Sequence, residues 1–201
     1  MKLHSLKNNV YKNDDKIFKH FNSEESFDRE LTIAKQLKKA GVTVPEVMNA
    51  SNNTIVYEFI EGTSYHALTD CFKLQHAAAL ANWLRTFYKA TGKIKGDVNL
   101  RNFIYDDRLN ICYGIDFEDV CEGIVETDFG EIIAFAATYD PPFTSGKKHC
   151  ASLLLKEFIN TGADLEKIKQ SYISEIHSII KRRKNRDYDV NEAVLFWEGI
   201  L

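Results

Sequence analysis

The chain has 201 residues, of which 44% are hydrophobic and three are proline. This length suits one large domain or two small lobes that share a cleft, and the composition excludes fibrous and disordered proteins. The net charge of -3 gives no whole-molecule attraction to nucleic acid or to an anionic membrane. No apolar run reaches the length of a membrane span, about 18 residues. Since Met1–Leu6 also lacks an apolar signal core, we expect a cytoplasmic protein.

The first elements are expected to form a β-hairpin followed by a helix. Two short strand-like runs, Val10–Lys12 and Ile17–Phe21, flank the polar turn Asn13–Asp15. Candidate helix N-caps follow at positions 22 and 23, and the helix should run to about Ala40 and stop at Gly41.

Glu30 lies on the apolar face of this predicted helix. A charge that points inward is costly unless it is paired. Lys19 alternates with Ile17 and Phe21 along the second strand, so it is the candidate partner on the adjacent element. We therefore predict a Lys19–Glu30 ion pair, with Glu24 and Glu25 as the competing glutamates.

The middle of the chain predicts the join between two lobes. Thr54–Gly62 indicates a buried strand that runs into a linker, and Lys73–Ala90 has the apolar spacing of a long core helix that ends before Gly92. We place the lobe boundary near Gly62, giving an N-terminal lobe over residues 1–62 and a helical C-terminal lobe over residues 63–201. His76 and Trp83 on the core helix are expected to be packing or surface residues.

A second predicted hairpin carries the most informative residues. The apolar runs Phe103–Tyr105 and Ile111–Ile115 flank a polar turn, with Asn102 just before the first strand and Asp116 just after the second. Closing the hairpin therefore brings these two side chains together. Asp97, five residues before Asn102 in a loop that contains glycine, can reach the same point.

These residue types suit phosphoryl transfer. A carboxylate and an amide oxygen side by side are ligands that Mg²⁺ accepts while keeping room for phosphates. A second, separate carboxylate is what a phosphotransferase needs to receive the proton of an attacking hydroxyl. We interpret Asn102 and Asp116 as the metal ligands and Asp97 as the base.

The segment Lys95–Asn102 together with Ile115–Glu118 resembles the catalytic core of kinase-like phosphotransferases, in particular the aminoglycoside phosphotransferase and choline kinase group. That resemblance implies an α+β, two-lobed protein-kinase-like fold, with a small β-rich N-lobe and a mostly helical C-lobe. It also implies ATP and Mg²⁺ as cofactors, with Lys19 on the nucleotide phosphates and Glu30 holding Lys19 in place. By position, the backbone of Glu58, Phe59 and Ile60 would contact adenine.

Three positions are notable against the family pattern. Lys95 replaces the usual histidine of the catalytic loop, and Ser5–Asn9 stands where relatives carry a Gly-rich phosphate loop. In relatives an aspartate in the place of Asp128 braces the catalytic loop. Asp128 and Glu131 also have capping-box spacing, which predicts the start of a helix.

Further helices are expected near Cys150–Asn160, Asp164–Arg183 and Val190–Leu201. The basic run Lys181–Arg186 is interpreted as a solvated helix end, with a patch for an anionic substrate or nucleic acid as the alternative. The sequence does not indicate an oligomeric state.

Three functions compete at this point. The first is an ATP-dependent kinase of a small hydroxylated molecule. The second is a pseudokinase that binds nucleotide as a scaffold, favoured by Lys95 and the missing Gly-rich loop. The third is a compact atypical Ser/Thr protein kinase, similar in size to the RIO group or to the kinase of the tRNA threonylcarbamoylation complex.

We expect a small acceptor rather than a peptide. The stretch Phe117–Thr127 after the metal aspartate is too short for a peptide platform. Its carboxylates Glu118, Asp119 and Glu122 would suit a cationic or polyhydroxylated acceptor, or are simply solvated loop charge.

Overall fold

The computed structural model describes residues 8–183 and 189–201. Its first part is an antiparallel sheet of four strands in the order β1-β2-β4-β3, with one helix between the second and third strands. The elements are β1 (Asn9–Asn13), β2 (Lys16–His20), α1 (Glu24–Lys39), β3 (Val47–Ser51) and β4 (Thr54–Glu58).

The turns and caps of this part follow from residue type. Asp14 in the β1–β2 turn and Asn52 and Asn53 in the β3–β4 turn have positive φ angles, which Asp and Asn tolerate better than most residues. The Ser23 side chain accepts a hydrogen bond from the Ser26 N–H and so caps α1. The helix ends before Gly41, whose φ of 77° favours glycine.

The second part is mostly helical and holds a small three-stranded sheet in the order β5-β6-β7. The strands are β5 (Thr63–Ser64), β6 (Phe103–Asp106) and β7 (Ile111–Gly114). The helices are α2 (Tyr65–Leu68), α3 (Leu74–Thr91), a 3₁₀ turn (Leu100–Asn102), α4 (Val125–Thr138), α5 (Ser145–Asn160), α6 (Leu165–Arg182) and α7 (Val190–Glu198).

The core of this part surrounds α4, whose residues from Asp128 to Thr138 are buried apart from Glu131. Gly130 lets α6 approach, since a Cβ there would lie 2.5 Å from the Ile168 carbonyl oxygen. The long helix α3 buries Trp83 and His76, as expected of packing residues. The α+β, two-lobed architecture predicted from the sequence is confirmed.

Thr43, in the linker after α1, joins the two parts. Its carbonyl accepts hydrogen bonds from Trp83 Nε1 at 2.8 Å and from the Gly114 N–H at 3.3 Å. Its hydroxyl donates to the Cys112 carbonyl at 2.6 Å. The linker that follows α1 is therefore attached directly to α3 and β7.

The start of α4 differs from the prediction, whereas α6 ends where it was predicted to end. α4 begins at Val125, so Asp128 lies inside the helix and the predicted capping box with Glu131 is wrong. At the end of α6, Arg182 pairs with Glu175, and Arg183 donates to the Thr138 carbonyl. Lys184–Arg186 of the predicted basic run and Met1–Lys7 lie outside the described residues. Among the residues described, no helix combines the length and apolar character needed to cross a membrane.

Candidate functional site

A cavity of about 390 Å³ lies between the four-stranded sheet and the hairpin formed by β6 and β7. At one end it is lined by Glu58, Phe59 and Ile60, after the last strand of the sheet. At the other end it is lined by Asp97, Arg101, Asn102 and Asp116, and Lys19 and Glu30 also line it. The structure thus brings the residues predicted as base, metal ligands and nucleotide contacts to one cavity of a size typical of ligand sites.

Lys19 is surrounded by carboxylates. Its Nζ lies 3.2 Å from Glu30 Oε1, 2.9 Å from Asp116 Oδ1 and 2.9 Å from Glu118 Oε1. Burial disfavours the charged ammonium, but these three carboxylates outweigh that effect and raise the pKa of Lys19 above its ordinary value. The predicted Lys19–Glu30 ion pair is present, and Lys19 is a fixed cation in the middle of the site.

Glu30 connects α1 to both parts of the molecule. It is 1% exposed, its Oε1 accepts from the Tyr57 hydroxyl at 3.0 Å, and its Oε2 accepts from the Phe117 N–H at 2.7 Å. Burial and the nearby Asp116 raise the pKa of Glu30, while Lys19 and the Phe117 N–H oppose the rise. Glu24 and Glu25, the competing glutamates, lie exposed in the first turn of α1.

Three carboxylates of the site, Glu30, Asp116 and Glu118, lie close enough to hold one cation. Their ligand atoms all lie within 4.8 Å of one another. Asp116 has a φ of 62°, an uncommon conformation for a residue other than glycine and one that often marks functional sites. From the sequence, Asp116 is a predicted metal ligand, whereas Glu118 is expected to line an acceptor pocket or to be solvated.

The structure does not group Glu118, Asp119 and Glu122 at one acceptor pocket. Glu118 is 8% exposed, pairs with Lys19 and accepts a hydrogen bond from Asn8 Nδ2, so it belongs to the Lys19 cluster. Glu122 is exposed and pairs with Lys93 at 3.4 Å. The expectation that Glu118, Asp119 and Glu122 together line an acceptor pocket is therefore not supported, because none of the three lines the cavity.

Asp97 and Asn102 are held by the loop that joins them. The Asn99 N–H donates to Asp97 Oδ1 at 3.2 Å, and Asn102 Nδ2 donates to the Asp97 carbonyl at 3.3 Å. The Ile115 N–H donates to the Asn102 carbonyl at 2.9 Å, which sets Asn102 beside the strand that leads to Asp116. The β6–β7 hairpin therefore closes as predicted and places Asn102 beside the segment that leads into Asp116.

The oxygen atoms that Asp116 and Asn102 offer at this end of the cavity suit a divalent cation. Asp116 offers a carboxylate, and the amide nitrogen of Asn102 is turned toward Asp97, leaving its Oδ1 as the other donor atom. Hard oxygen donors of this kind are those that Mg²⁺ or Ca²⁺ prefers.

Lys95, at the usual histidine position, is fully buried beneath the loop. Its Nζ donates to the carbonyls of Asp97 and Asp116, each at 2.7 Å. The rings of Phe103 and Phe117 lie 5.5 and 5.6 Å away. Burial lowers the pKa of Lys95, although Asp116 and Asp97 oppose that shift. Lys95 thus ties the two loops together, and sequence reasoning missed this because it recorded only the loss of the histidine.

Asp128 braces the same loop from α4. Its carboxylate accepts from the Lys95 N–H at 2.7 Å and from the Gly96 N–H at 3.1 Å, and the Tyr88 hydroxyl donates to it at 3.0 Å. Gly96 has a φ of 80°, and a Cβ there would lie 2.2 Å from the Asp119 carbonyl oxygen. The loop therefore needs glycine at this position, and the bracing expected of Asp128 is present.

The three residues expected near adenine differ in what their backbones offer. The Glu58 N–H donates to the Glu46 carbonyl, and the Phe59 N–H donates to the Asp15 carbonyl at 2.8 Å. Lys12 Nζ lies 3.3 Å from the centre of the Phe59 ring. Within residues 8–183 and 189–201, the Ile60 N–H has no recorded protein partner, so it is the group of the three that could donate to a ligand.

Sequence reasoning also missed Tyr139, which lies just after α4. Its hydroxyl accepts from the Leu100 N–H at 3.0 Å and donates to Asn99 Oδ1 at 2.8 Å. Nothing in the sequence near Tyr139 indicates this contact, because it spans forty residues of chain.

Solved structures similar to this one include the following phosphotransferases. Amicoumacin kinase hAmiN, in complex with AMP-PNP, Ca²⁺ and Ami, has a TM-score of 0.68 at 12% identity, covering 100% of this chain and 86% of that one. A choline/ethanolamine kinase family protein from Mesorhizobium loti has a TM-score of 0.63 at 14% sequence identity, and the match covers 100% of this chain and 84% of that one. Aminoglycoside phosphotransferase APH(2'')-Ib, ADP-bound, has a TM-score of 0.65 at 14% sequence identity, and the match covers 99% of this chain and 90% of that one.

These similarities establish the kinase-like fold. A search of curated protein sequences gives no match. A sequence profile of the RIO domain matches residues 2–124, which is more than half of the chain and includes Lys19, Glu30, Asp97, Asn102 and Asp116. On this match, the chain belongs to the RIO domain family.

Proposed function

We propose that the protein is an ATP-dependent phosphotransferase that acts on a hydroxyl group. The observation that carries the proposal is that Lys19, Asp97, Asn102 and Asp116 line one cavity of a kinase-like fold. Lys19 would bind the nucleotide phosphates, with Glu30 fixing its position. Adenine would lie at the other end, against the Ile60 N–H.

Asp97 is the proposed base. In the reaction, a bond forms between the acceptor oxygen and the γ-phosphorus as the bond to the ADP oxygen breaks. ADP leaves with the electron pair, and the hydroxyl proton passes to Asp97. Asn102 and Asp116 would hold a divalent ion, which would neutralise charge on the nucleotide phosphates.

The acceptor is proposed to be a small hydroxylated molecule. Only residues 117–124 connect Asp116 to α4, a stretch too short for the platform that an extended peptide needs. The RIO domain match supports a second candidate, an atypical Ser/Thr protein kinase. Labelled γ-phosphate transfer to a peptide library and to a pool of hydroxylated metabolites would separate the two candidates.

Asp97→Ala should separate chemistry from nucleotide binding. The variant loses the base but no expected nucleotide contact, so phosphoryl transfer should fall by about a hundredfold or more while ATP affinity is kept. Transfer rates and calorimetry on the folded variant test this. Loss of ATP binding would contradict the role given to Asp97, and a wild-type protein that binds nucleotide but phosphorylates nothing, water included, would be a pseudokinase.

Asp116→Ala, unlike Asp97→Ala, should affect nucleotide binding as well as phosphoryl transfer. Because the ion would be held mainly by this carboxylate, both Mg²⁺-dependent nucleotide binding and transfer should be lost. Calorimetry with and without Mg²⁺ measures the first effect. Equal ATP affinity of the wild-type protein in the two conditions would show that the metal site is assigned wrongly.

A further inference from the structure

Arg101 lies at the end of the cavity where the reaction is proposed to occur. It belongs to the 3₁₀ turn Leu100–Asn102 and lines the cavity together with Asp97 and Asn99. Its guanidinium carbon lies 5.4 Å from the centre of the Tyr139 ring, and its Nη2 lies 3.4 Å from His66 Nε2. The side chain is exposed, but an aromatic face and an imidazole hold it in place.

The charge of Arg101 is not matched by a carboxylate. In residues 8–183 and 189–201, no Asp or Glu oxygen lies within 4.0 Å of its guanidinium. Three other arginines do pair with carboxylates, Arg29 with Glu25, Arg108 with Glu61 and Arg182 with Glu175. Arg101 thus presents a positioned guanidinium to the cavity.

The support beneath Arg101 is rigid. Tyr139 is 3% exposed, and its hydroxyl bonds to both the Leu100 N–H and Asn99 Oδ1. The His66 ring packs edge-on against Tyr139, with centroids 4.3 Å apart. Burial, Arg101 and Lys147 lower the pKa of His66, so the neutral ring can accept from Arg101. The guanidinium is therefore positioned before any ligand arrives.

A second arginine lies near this end of the cavity: Arg183 donates to the Thr138 carbonyl, next to Tyr139. The opposing carboxylates that line this end are Asp97 and Asp116. Burial, Glu175, Asp128 and Asp97 raise the pKa of Glu131 to about 8, with Arg182 opposing, so Glu131 carries less negative charge at neutral pH than an ordinary glutamate.

We propose that Arg101, on its support of Tyr139 and His66, binds an anionic group of the acceptor, a phosphate or a carboxylate, while the acceptor hydroxyl faces Asp97. A guanidinium forms paired hydrogen bonds with either anion, and it does so better than an ammonium. This inference rests on the proposed function and gives its acceptor a chemical class. It replaces the cationic acceptor considered from the sequence.

Calorimetry on protein saturated with AMP-PNP and Mg²⁺ tests the proposal. The probes are glycerol 3-phosphate, glycerate, glycerol and choline, which carry a phosphate, a carboxylate, no charge and a positive charge. At least one of the two anions should bind about tenfold tighter or more than glycerol and choline. Which anion binds tighter identifies the group that the subsite takes. Equal or weaker binding of both anions, or no binding of either, would overturn the proposal.

Variants locate the effect. Arg101→Gln should abolish the preference for the anion, and Arg101→Lys should retain part of it because the charge stays but the fork geometry is lost. Arg108→Gln is the matched control, since Arg108 is exposed on the β6–β7 turn and lies outside the cavity. If Arg101→Gln weakens AMP-PNP binding and leaves the anion preference unchanged, Arg101 contacts the nucleotide and the proposal is wrong.

The test also separates this inference from the proposed function. If AMP-PNP with Mg²⁺ does not bind, the proposed function fails. The same probes are then titrated into the unliganded wild-type and Arg101→Gln proteins. A preference for an anion that depends on Arg101 would keep the subsite, and its absence would remove it.

Discussion

Two buried lysines contact Asp116 in different ways. Lys19 reaches its carboxylate and has two further carboxylates around it. Lys95 reaches its main-chain carbonyl and that of Asp97, between two aromatic rings. The pKa of Lys19 is raised and that of Lys95 is lowered. These two buried cations are thus held in different ways, Lys19 by ionic partners in the site and Lys95 by carbonyl dipoles beneath it.

The largest effect on stability and phosphoryl transfer is expected from removing Lys19, the cation shared by three carboxylates. Lys19→Met leaves three carboxylates without their shared cation, which should destabilise the fold by about 3 kcal/mol and lower phosphoryl transfer by about a hundredfold. Without Lys19 the carboxylate pKa values should rise above their unfolded values, so stability should fall as the pH rises above about 4.3.

Urea unfolding at about pH 5 and about pH 8 measures the Lys19→Met effect, and the larger loss should occur at the higher pH. Lys16→Met on the same strand is the control, because Lys16 lies outside the cavity. An equal loss at both pH values would show that the cluster is not held by charge.

A smaller effect is expected at Lys95. Lys95→Met keeps most of the volume but leaves the Asp116 carbonyl without its donor, which should cost about 2 kcal/mol of unfolding free energy. Phosphoryl transfer should fall because the two loops lose their common donor, while ATP affinity changes less than in Lys19→Met.

Denaturant unfolding and calorimetry measure the Lys95→Met effects. Lys93→Met, which affects only an exposed pair with Glu122, is the control. If Lys95→Met lost ATP affinity as strongly as Lys19→Met, the distinction between the two lysines would not hold.

The smallest effect concerns Glu131, a half-buried carboxylate that has no ion-pair partner within 4.0 Å among residues 8–183 and 189–201. Its pKa is raised to about 8 by burial and by Glu175, Asp128 and Asp97. An acid with a raised folded pKa loses stability as the pH rises from its unfolded pKa toward its folded one. Glu131→Gln should therefore stabilise the protein by about 1 kcal/mol, after allowance for solvent screening, at about pH 8.5, and have little effect near pH 4.5. The same effect at both pH values would contradict the assigned pKa shift.

Much of the fold follows from local sequence signals. The apolar spacing of α3 and the polar turn between β6 and β7 identify their elements directly. Lys19 and Glu30 were predicted to pair because a charge on an apolar face needs a partner, and the pair forms. Their roles with nucleotide, like those of Asp97, Asn102 and Asp116, stay predictions, as does the lobe boundary near Gly62.

The remaining features of the fold and the site depend on contacts between residues far apart in the sequence, which local patterns do not reveal. Asp128 and Glu131 have the spacing of a capping box, but α4 starts one turn earlier and packs its first turn against other elements. Tyr139 reaches Asn99 across forty residues. Glu118 is predicted from the sequence either to line an acceptor pocket or to be solvated, but it pairs with Lys19, because its place depends on how the chain turns after Asp116, whose φ is positive.

The attachment of α1 has a consequence for control of the protein. Glu30, in the middle of the helix, binds Lys19 and the Phe117 N–H, and Gln36 Nε2, near its C-terminal end, donates to the Ala90 carbonyl of α3. Outward displacement of this helix would break these contacts together, which disfavours switching by that movement. We therefore expect a constitutively assembled site, whose output follows the supply of nucleotide and acceptor rather than an on–off conformational signal.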